Sequence, residues 1–163
     1  MRQPATRDVP RPRQGEELLL EVDSIAQGGR GVARANGYVV FVSGALPGDR
    51  VRARLTRAKR SFGEAEAVEV VNPSAERVAD RCLHGGGPCP GAPWQGLPYE
   101  RQLQEKSKQV DEALRRLGGL GGFELEPAEP AAHQWRYRNK LEYSFGEREG
   151  RVALGFHRRG SWA

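Results

Sequence analysis

Between Gly15 and Asn72 the apolar residues fall in short runs and strict alternations, with polar breaks too frequent for helices. L-L-L-E-V-D-S-I, residues 18–25, is a strand pattern that ends at A-Q-G-G-R-G, a turn built on Gly28, Gly29 and Gly31. V-A-R follows, then Asn36-Gly37, a two-residue hairpin signal because both positions tolerate positive φ. Y-V-V-F-V is the next strand and A-L-P-G-D the next turn. In R-V-R-A-R-L the period is two: Val51, Ala53 and Leu55 face one side and Arg50, Arg52 and Arg54 the other. A-E-A-V-E-V-V, from Ala65, is the last strand before Pro73. Strands this short, with turn signals about every 8–12 residues, predict a small antiparallel barrel over residues 15–73. One of its walls carries a ladder of arginines.

The pattern then changes twice. After a Gly/Pro-rich loop at 74–97, Tyr99, Leu103, Val110, Leu114 and Leu117 recur at helical spacing and give one apolar stripe. Pro98 suits the first turn of that helix and Gly118 its stop, while its basic face reads as solvated. Residues 118–130 form a linker rich in glycine, proline and glutamate. Period two returns in W-R-Y-R-N-K-L-E-Y-S-F: Trp135, Tyr137, Asn139, Leu141, Tyr143 and Phe145 alternate with Arg136, Arg138, Lys140, Glu142 and Ser144. E-R-E-G is a turn, and R-V-A-L-G-F-H-R-R pairs back as the second strand of a hairpin. Tyr143 and Phe145 are expected to be core. A hairpin is not stable alone, so residues 98–163 read as the start of a further domain that something else must cover. The fold class predicted is mostly β with some α.

Composition sharpens this only in part. Hydrophobic residues make up 37%, with 21 Gly and 11 Pro, which suits small β units with lean cores. The net charge of +5 points to a polyanionic partner, most simply nucleic acid, or to an Arg-rich soluble protein with no such partner. No apolar run approaches the roughly 20 residues that span a bilayer. The first 14 residues are basic and Pro-rich without an apolar segment, and read as a disordered arm, not a secretory signal. Two cysteines without such a signal suit a reducing cytoplasm, which disfavours a disulfide.

Both cysteines, Cys82 and Cys89, lie in C-L-H-G-G-G-P-C-P-G-A-P-W-Q. A loop of this composition can wrap a metal, and a zinc site using Cys82, His84 and Cys89 is one reading, although it lacks a fourth ligand. Half of a cluster site and a plain loop are the others.

Three stretches resemble known families. I-A-Q-G-G-R-G-V-A-R and Y-V-V-F-V-S-G-A-L-P-G-D-R-V resemble the TRAM domain, a small OB-like RNA-binding barrel. C-x6-C-P-G-A-P-W-Q, followed by L-P-Y-E-R-Q-L-x2-K, resembles the iron–sulfur loop of RNA uracil-5-methyltransferases. Y-R-N-K-L-E-Y-S-F-G resembles the segment that opens the central RNA-binding domain of the same enzymes. The resemblance implies the RNA-recognition part of a methyltransferase acting on 23S ribosomal RNA, with S-adenosylmethionine held by a separate C-terminal domain. By position, Cys82 and Cys89 match the first two ligands of a [4Fe–4S] cluster and Gln95 matches a family Gln. Ala92 stands where the third Cys belongs, and the fourth falls beyond Ala163.

The RNA-binding residues expected are Arg30, Arg50, Arg52, Arg54, Arg57, Lys59 and Arg60 on the barrel, with Arg136, Arg138, Asn139 and Lys140 on the Y-R-N-K strand. No catalytic or cofactor-binding residue is expected in this chain, because its Gly clusters open no strand–turn–helix unit and no Cys remains to act as nucleophile. The piece alone is expected to bind RNA as a cytoplasmic monomer and to be catalytically inert. The alternatives are a stand-alone RNA-binding protein or RNA chaperone, and an OB-like module that binds protein.

Overall fold

A computed structural model describes residues 11–82, 89 and 91–156. The arm over residues 1–10, His84 and the end of the returning strand lie outside the described residues. The chain separates into two compact units, Met1–Ala128 and Glu129–Ala163.

In the first unit, β1 (Glu17–Ile25), β2 (Gly31–Ala35), β3 (Tyr38–Ser43), β4 (Arg50–Ala58) and β5 (Phe62–Asn72) form a closed barrel in the order β1-β2-β3-β5-β4. The predicted strands are all present. The pairing differs from a wholly antiparallel barrel in one place, since β3 and β5 run parallel. That pair closes the barrel and leaves no open edge. Asn36 and Gly37 take the left-handed φ values of 49° and 87° that the β2–β3 hairpin requires.

The alternation on β4 is realised as expected. Val51, Ala53 and Leu55 are buried beside Leu20, Val22, Ala33, Tyr38, Val40, Val42 and Ala65. Small residues let so few strands close around this core. Gly63 is one such case: a Cβ there would lie 2.7 Å from Leu55 Cδ1, so β5 could not approach β4 this closely with a larger residue. At the core boundary the Tyr38 hydroxyl donates to the Lys59 carbonyl at 2.8 Å.

The loop between β3 and β4 is organised around Asp49, whose side chain is buried. Its carboxylate accepts from Leu46 N (2.7 Å), Ser74 N (2.9 Å), Arg77 Nε (2.7 Å) and Arg77 Nη2 (2.6 Å). Burial alone would raise the Asp49 pKa. The Arg77 hydrogen bonds, the two backbone amides and the guanidinium charge outweigh it and hold the carboxyl below its ordinary value. This contact ties the segment that leaves the barrel back onto the start of β4.

Helix α1 (Tyr99–Arg116) begins after Pro98 and closes at Gly118, whose amide donates to the Ala113 carbonyl at 3.0 Å. Its docking face differs from expectation. Gln109 Nε2 donates to Ile25 O at 2.8 Å, and Gln102 Nε2 to Leu97 O at 2.9 Å and Trp94 O at 3.1 Å. Glu105, on the same face, is buried against Arg101 at 3.1 Å. Gln109 thus meets the carbonyl at the end of β1, while Gln102, two turns earlier, meets carbonyls of the segment that leads into the helix. The apolar stripe is left partly outside, with Val110 and Leu117 exposed. The compact unit therefore runs past residue 98, because the helix is bonded to the end of β1.

The second unit holds a hairpin, β6 (Ser144–Arg148) with β7 (Arg151–Gly155), turning at Glu149-Gly150. Here two expectations are corrected. The strand predicted from Trp135 begins only at Ser144, and Arg136 adopts a left-handed φ of 59°. A strand needs a neighbour, and β7 reaches only residues 144–148, so the alternation upstream has nothing to pair with among the described residues. Nor are Tyr143 and Phe145 core: both are exposed, as are Val152, Leu154 and Phe156, although the Tyr143 and Phe156 rings meet at 4.8 Å. Among the described residues no helix is long and apolar enough to cross a membrane.

Asp49→Asn keeps the shape but removes the charge that faces Arg77, and should destabilise the barrel by about 2–3 kcal/mol at pH 7. Because the Asp49 pKa is lowered on folding, its contribution is complete above the unfolded carboxyl value of about 4 and is lost as pH falls through the folded value. Urea melts of both proteins at pH 7 and near pH 2 check this. The stability gap should shrink in acid, and a gap independent of pH would contradict an ionic origin.

Candidate nucleic-acid interface

The Arg ladder does lie on the outer face of β4, but its neighbours are acidic. The antiparallel register sets Arg54 between Glu17 and Glu66, Arg52 between Leu19 and Glu69, and Arg50 between Glu21 and Asn72. Arg54 Nη2 meets Glu17 Oε1 at 2.7 Å, with Nε on the same oxygen at 3.2 Å, and Arg52 Nη2 meets Glu69 Oε2 at 3.0 Å. Each of these exposed pairs contributes at most about 1 kcal/mol to stability. Together they cancel most of the positive potential that a bare ladder would project.

A different arrangement lies one strand further round. Phe41 on β3 and Phe62 at the start of β5 both point outward, opposite the buried Val40, Val42 and Gly63. In the parallel register Phe62 lies beside Val39, and Phe41 beside Glu64, so the two rings are diagonal neighbours. Their centroids are 5.4 Å apart at 77°, an edge-to-face contact. The Arg30 guanidinium lies over Phe41 at 5.1 Å and the Lys59 ammonium over Phe62 at 4.9 Å. Arg30 Nη1 also meets Glu64 Oε1 at 3.3 Å, with both side chains about 30% exposed. Arg57 and Arg60 are exposed near the β4–β5 turn beside Lys59.

Of the expected RNA-binding residues, then, Arg30 and Lys59 gather on this aromatic pair, with Arg57 and Arg60 close in sequence. Arg50, Arg52 and Arg54 form the acid-flanked ladder. Arg136, Arg138, Asn139 and Lys140 lie in the second unit on irregular backbone, so they do not share a strand face. Lys140 there pairs with Glu142 at 2.9 Å in full exposure. Phe41 and Phe62 were not among the expected site residues. Y-V-V-F-V is apolar at every position and gives no sign of which side faces out; the alternating G-E-A after Phe62 was the available hint.

The cysteine loop is held by its own backbone. Gln95 Oε1 accepts from Cys82 N, and Gln95 Nε2 donates to Cys82 O, each at 2.9 Å, so one side chain replaces a strand neighbour. Ala92 N donates to Cys89 O at 3.0 Å and Leu97 N to Trp94 O at 2.9 Å, which winds the segment into successive turns. Trp94 and the buried Leu97 pack on Ile25 and Leu46. Pro93 and Trp94 also lie against Gly29, where a Cβ would come within 2.6 Å of Pro93 Cγ. The loop thus rests on the β1–β2 turn that carries Arg30.

Cys82 and Cys89 are unoxidised and half-buried. Among the described residues no three His, Cys, Asp or Glu side chains gather as a metal site. A four-iron cluster takes four thiolates, whereas this chain has two cysteines and a methyl group at Ala92. The residues present do not make up that set.

Comparison with known proteins agrees with the barrel. Residues 11–68 match the TRAM domain family. A protein of Thermosynechococcus vestitus named an uncharacterized RNA methyltransferase is 39% identical over 149 residues, which is 91% of this chain and 33% of that protein. Similarly named proteins of Synechocystis sp. and Nitratidesulfovibrio vulgaris are 35% identical over 150 residues and 39% over 148, covering 32% and 31% of their own lengths. The chain carries a TRAM domain and spans about a third of the length of the curated relatives it matches.

Two outcomes follow from these contacts. Arg54→Glu sets a third carboxylate between Glu17 and Glu66 and should lower barrel stability by about 1 kcal/mol, read as a drop in melting temperature. Gln95→Ala removes both hydrogen bonds that Gln95 makes to the Cys82 backbone. It should speed hydrogen exchange at the Cys82 amide at least 10-fold while the β3 and β4 amides keep their protection. Exchange unchanged at Cys82 would remove the clamp from the account of the loop.

Proposed function

We propose that this chain is the RNA-recognition part of an S-adenosylmethionine-dependent RNA uracil-5-methyltransferase that acts on 23S ribosomal RNA. The observation that carries the reading is the outward Phe41–Phe62 pair with Arg30 and Lys59 over its rings, on a barrel that matches the TRAM domain. Solvent-facing aromatics bordered by cations are what single-stranded nucleic acid requires of a protein surface. Relatives that are 39% and 35% identical to this chain are named uncharacterized RNA methyltransferases, which supports the reading.

In this reading the chain binds and orients, and chemistry belongs to a longer protein. S-adenosylmethionine supplies the methyl group. Uracil C5 becomes nucleophilic when a thiolate adds to C6, which requires the base to leave its stack and enter a pocket. Cys82 is clamped through its backbone by the Gln95 side chain. Holding flanking RNA on the barrel raises the local concentration of the target uridine at a tethered catalytic site. The barrel closes on its own core, so RNA binding by this chain alone, as a chaperone would use it, is the second reading.

The test is a binding titration of the 163-residue chain with a uridine-containing 23S RNA fragment, together with a methyl-transfer assay using labelled S-adenosylmethionine. Binding that weakens between 50 and 200 mM salt, and falls about 10-fold in an Arg30→Ala, Lys59→Ala variant, is expected. No label should enter the RNA. Absence of binding at low salt would overturn the RNA reading, and turnover by the pure chain would overturn the division of labour.

A further inference from the structure

The proposed RNA reading leaves open what form of RNA the barrel holds, and the charge distribution around Phe41 and Phe62 bears on it. We infer that this corner of the barrel takes an unpaired base, stacked against Phe62 and the Arg30 guanidinium, and that it discriminates against duplex RNA. The inference rests on that reading and goes beyond it.

A duplex offers a protein its phosphates and groove edges, with base faces hidden in the stack. A surface built for it needs free cations along the backbone track. On β4 those cations are already committed: Arg54 to Glu17, and Arg52 to Glu69, with Glu21 opposite Arg50. An RNA phosphate drawn to that face would meet carboxylates at almost every second position. Little binding energy is available from charge there.

The aromatic corner has the opposite character. Two rings in edge-to-face contact are held on neighbouring strands of a closed barrel, so they stand ready without reorganisation. The two cations over them differ. Lys59 is exposed and its stem is flexible, so it can swing off Phe62 toward a phosphate and leave the ring face to a base. Arg30 is tethered: Glu64 holds one edge of its guanidinium while the group lies over Phe41. With Nη1 drawn to that carboxylate, part of the guanidinium charge is offset and its pull on a phosphate is weaker. What Arg30 still presents is its flat face, a surface on which bases stack. Glu64 is in this sense a positioning residue. It keeps Arg30 on the aromatic pair and makes it a stacking wall more than a phosphate clamp.

With Lys59, Arg57 and Arg60 as the remaining nearby cations, few phosphates are neutralised. The dependence of log affinity on log salt should be shallow, about −2 for three phosphates at roughly 0.7 each on a single strand.

The experiment measures anisotropy of a labelled 12-nucleotide RNA, single-stranded or annealed to its complement, with the 163-residue chain. Wild type should prefer the single strand at least 10-fold. Phe62→Leu, which keeps apolar bulk and removes the π-face, should weaken single-strand binding about 10-fold or more and leave duplex binding unchanged. Phe62→Tyr should retain wild-type affinity, and a thermal melt of each variant establishes that the barrel is folded. Glu64→Gln should steepen the salt dependence as Arg30 is freed for phosphate. Equal affinity for the two RNA forms, or a folded Phe62→Leu that binds like wild type, would overturn the stacking inference while the RNA reading stands. Failure to bind either form at low salt would remove both.

Discussion

The path of the chain as it leaves the barrel depends on one buried carboxylate. Asp49 sits where β4 begins and gathers four donors from three places: the loop before it, the segment that leaves β5, and the Arg77 fork. A carboxylate in that position would be costly if any of these were missing. With all of them present it fixes the direction in which the chain departs from the barrel. The turn at residues 74–77, the seat of Trp94 and Leu97 on Ile25 and Leu46, and the start of α1 all lie downstream of that direction.

The same economy appears in how the later segments attach. Gln109 donates its amide to the Ile25 carbonyl at the barrel end, and Gln102 donates to the Leu97 carbonyl of the segment that leads into the helix. Gln95 likewise meets both backbone groups of Cys82. Glutamine here does the work that apolar burial does inside the barrel, because exposed main-chain ends give directional partners and little apolar area. The described part of the cysteine loop is joined by the Gln95–Cys82 hydrogen bonds and seated by Trp94 packing.

Charge on the barrel exterior is arranged in two distinct ways. Along β4 it alternates across strands, Arg against Glu, which favours register over attraction for a distant anion. Around Phe41 and Phe62 it is attached to aromatic faces, where Arg30 and Lys59 are close to a hydrophobic surface and still reachable. The net charge of +5 did not distinguish these. A sum of charges says that a polyanion is welcome, and the register says where it is not.

Much of the barrel was legible in the sequence. Period-two alternation in R-V-R-A-R-L, the Asn36-Gly37 turn and the glycine turns each reflect a local steric rule, so strands, hairpin and the inward set of β4 followed without a structure. So did the helix between Pro98 and Gly118. Three things needed tertiary structure. The partners of Arg50, Arg52 and Arg54 are glutamates 12 to 37 positions away, brought alongside only by strand pairing. The outward face of Y-V-V-F-V was undetermined by its own apolar residues and was settled by the parallel pairing with β5, which made Phe41 and Phe62 neighbours. And the alternation from Trp135 to Tyr143 did not become a strand, because period two states a preference that only an adjacent strand can satisfy. Local sequence determined which elements could form; pairing between distant segments decided which faces they present.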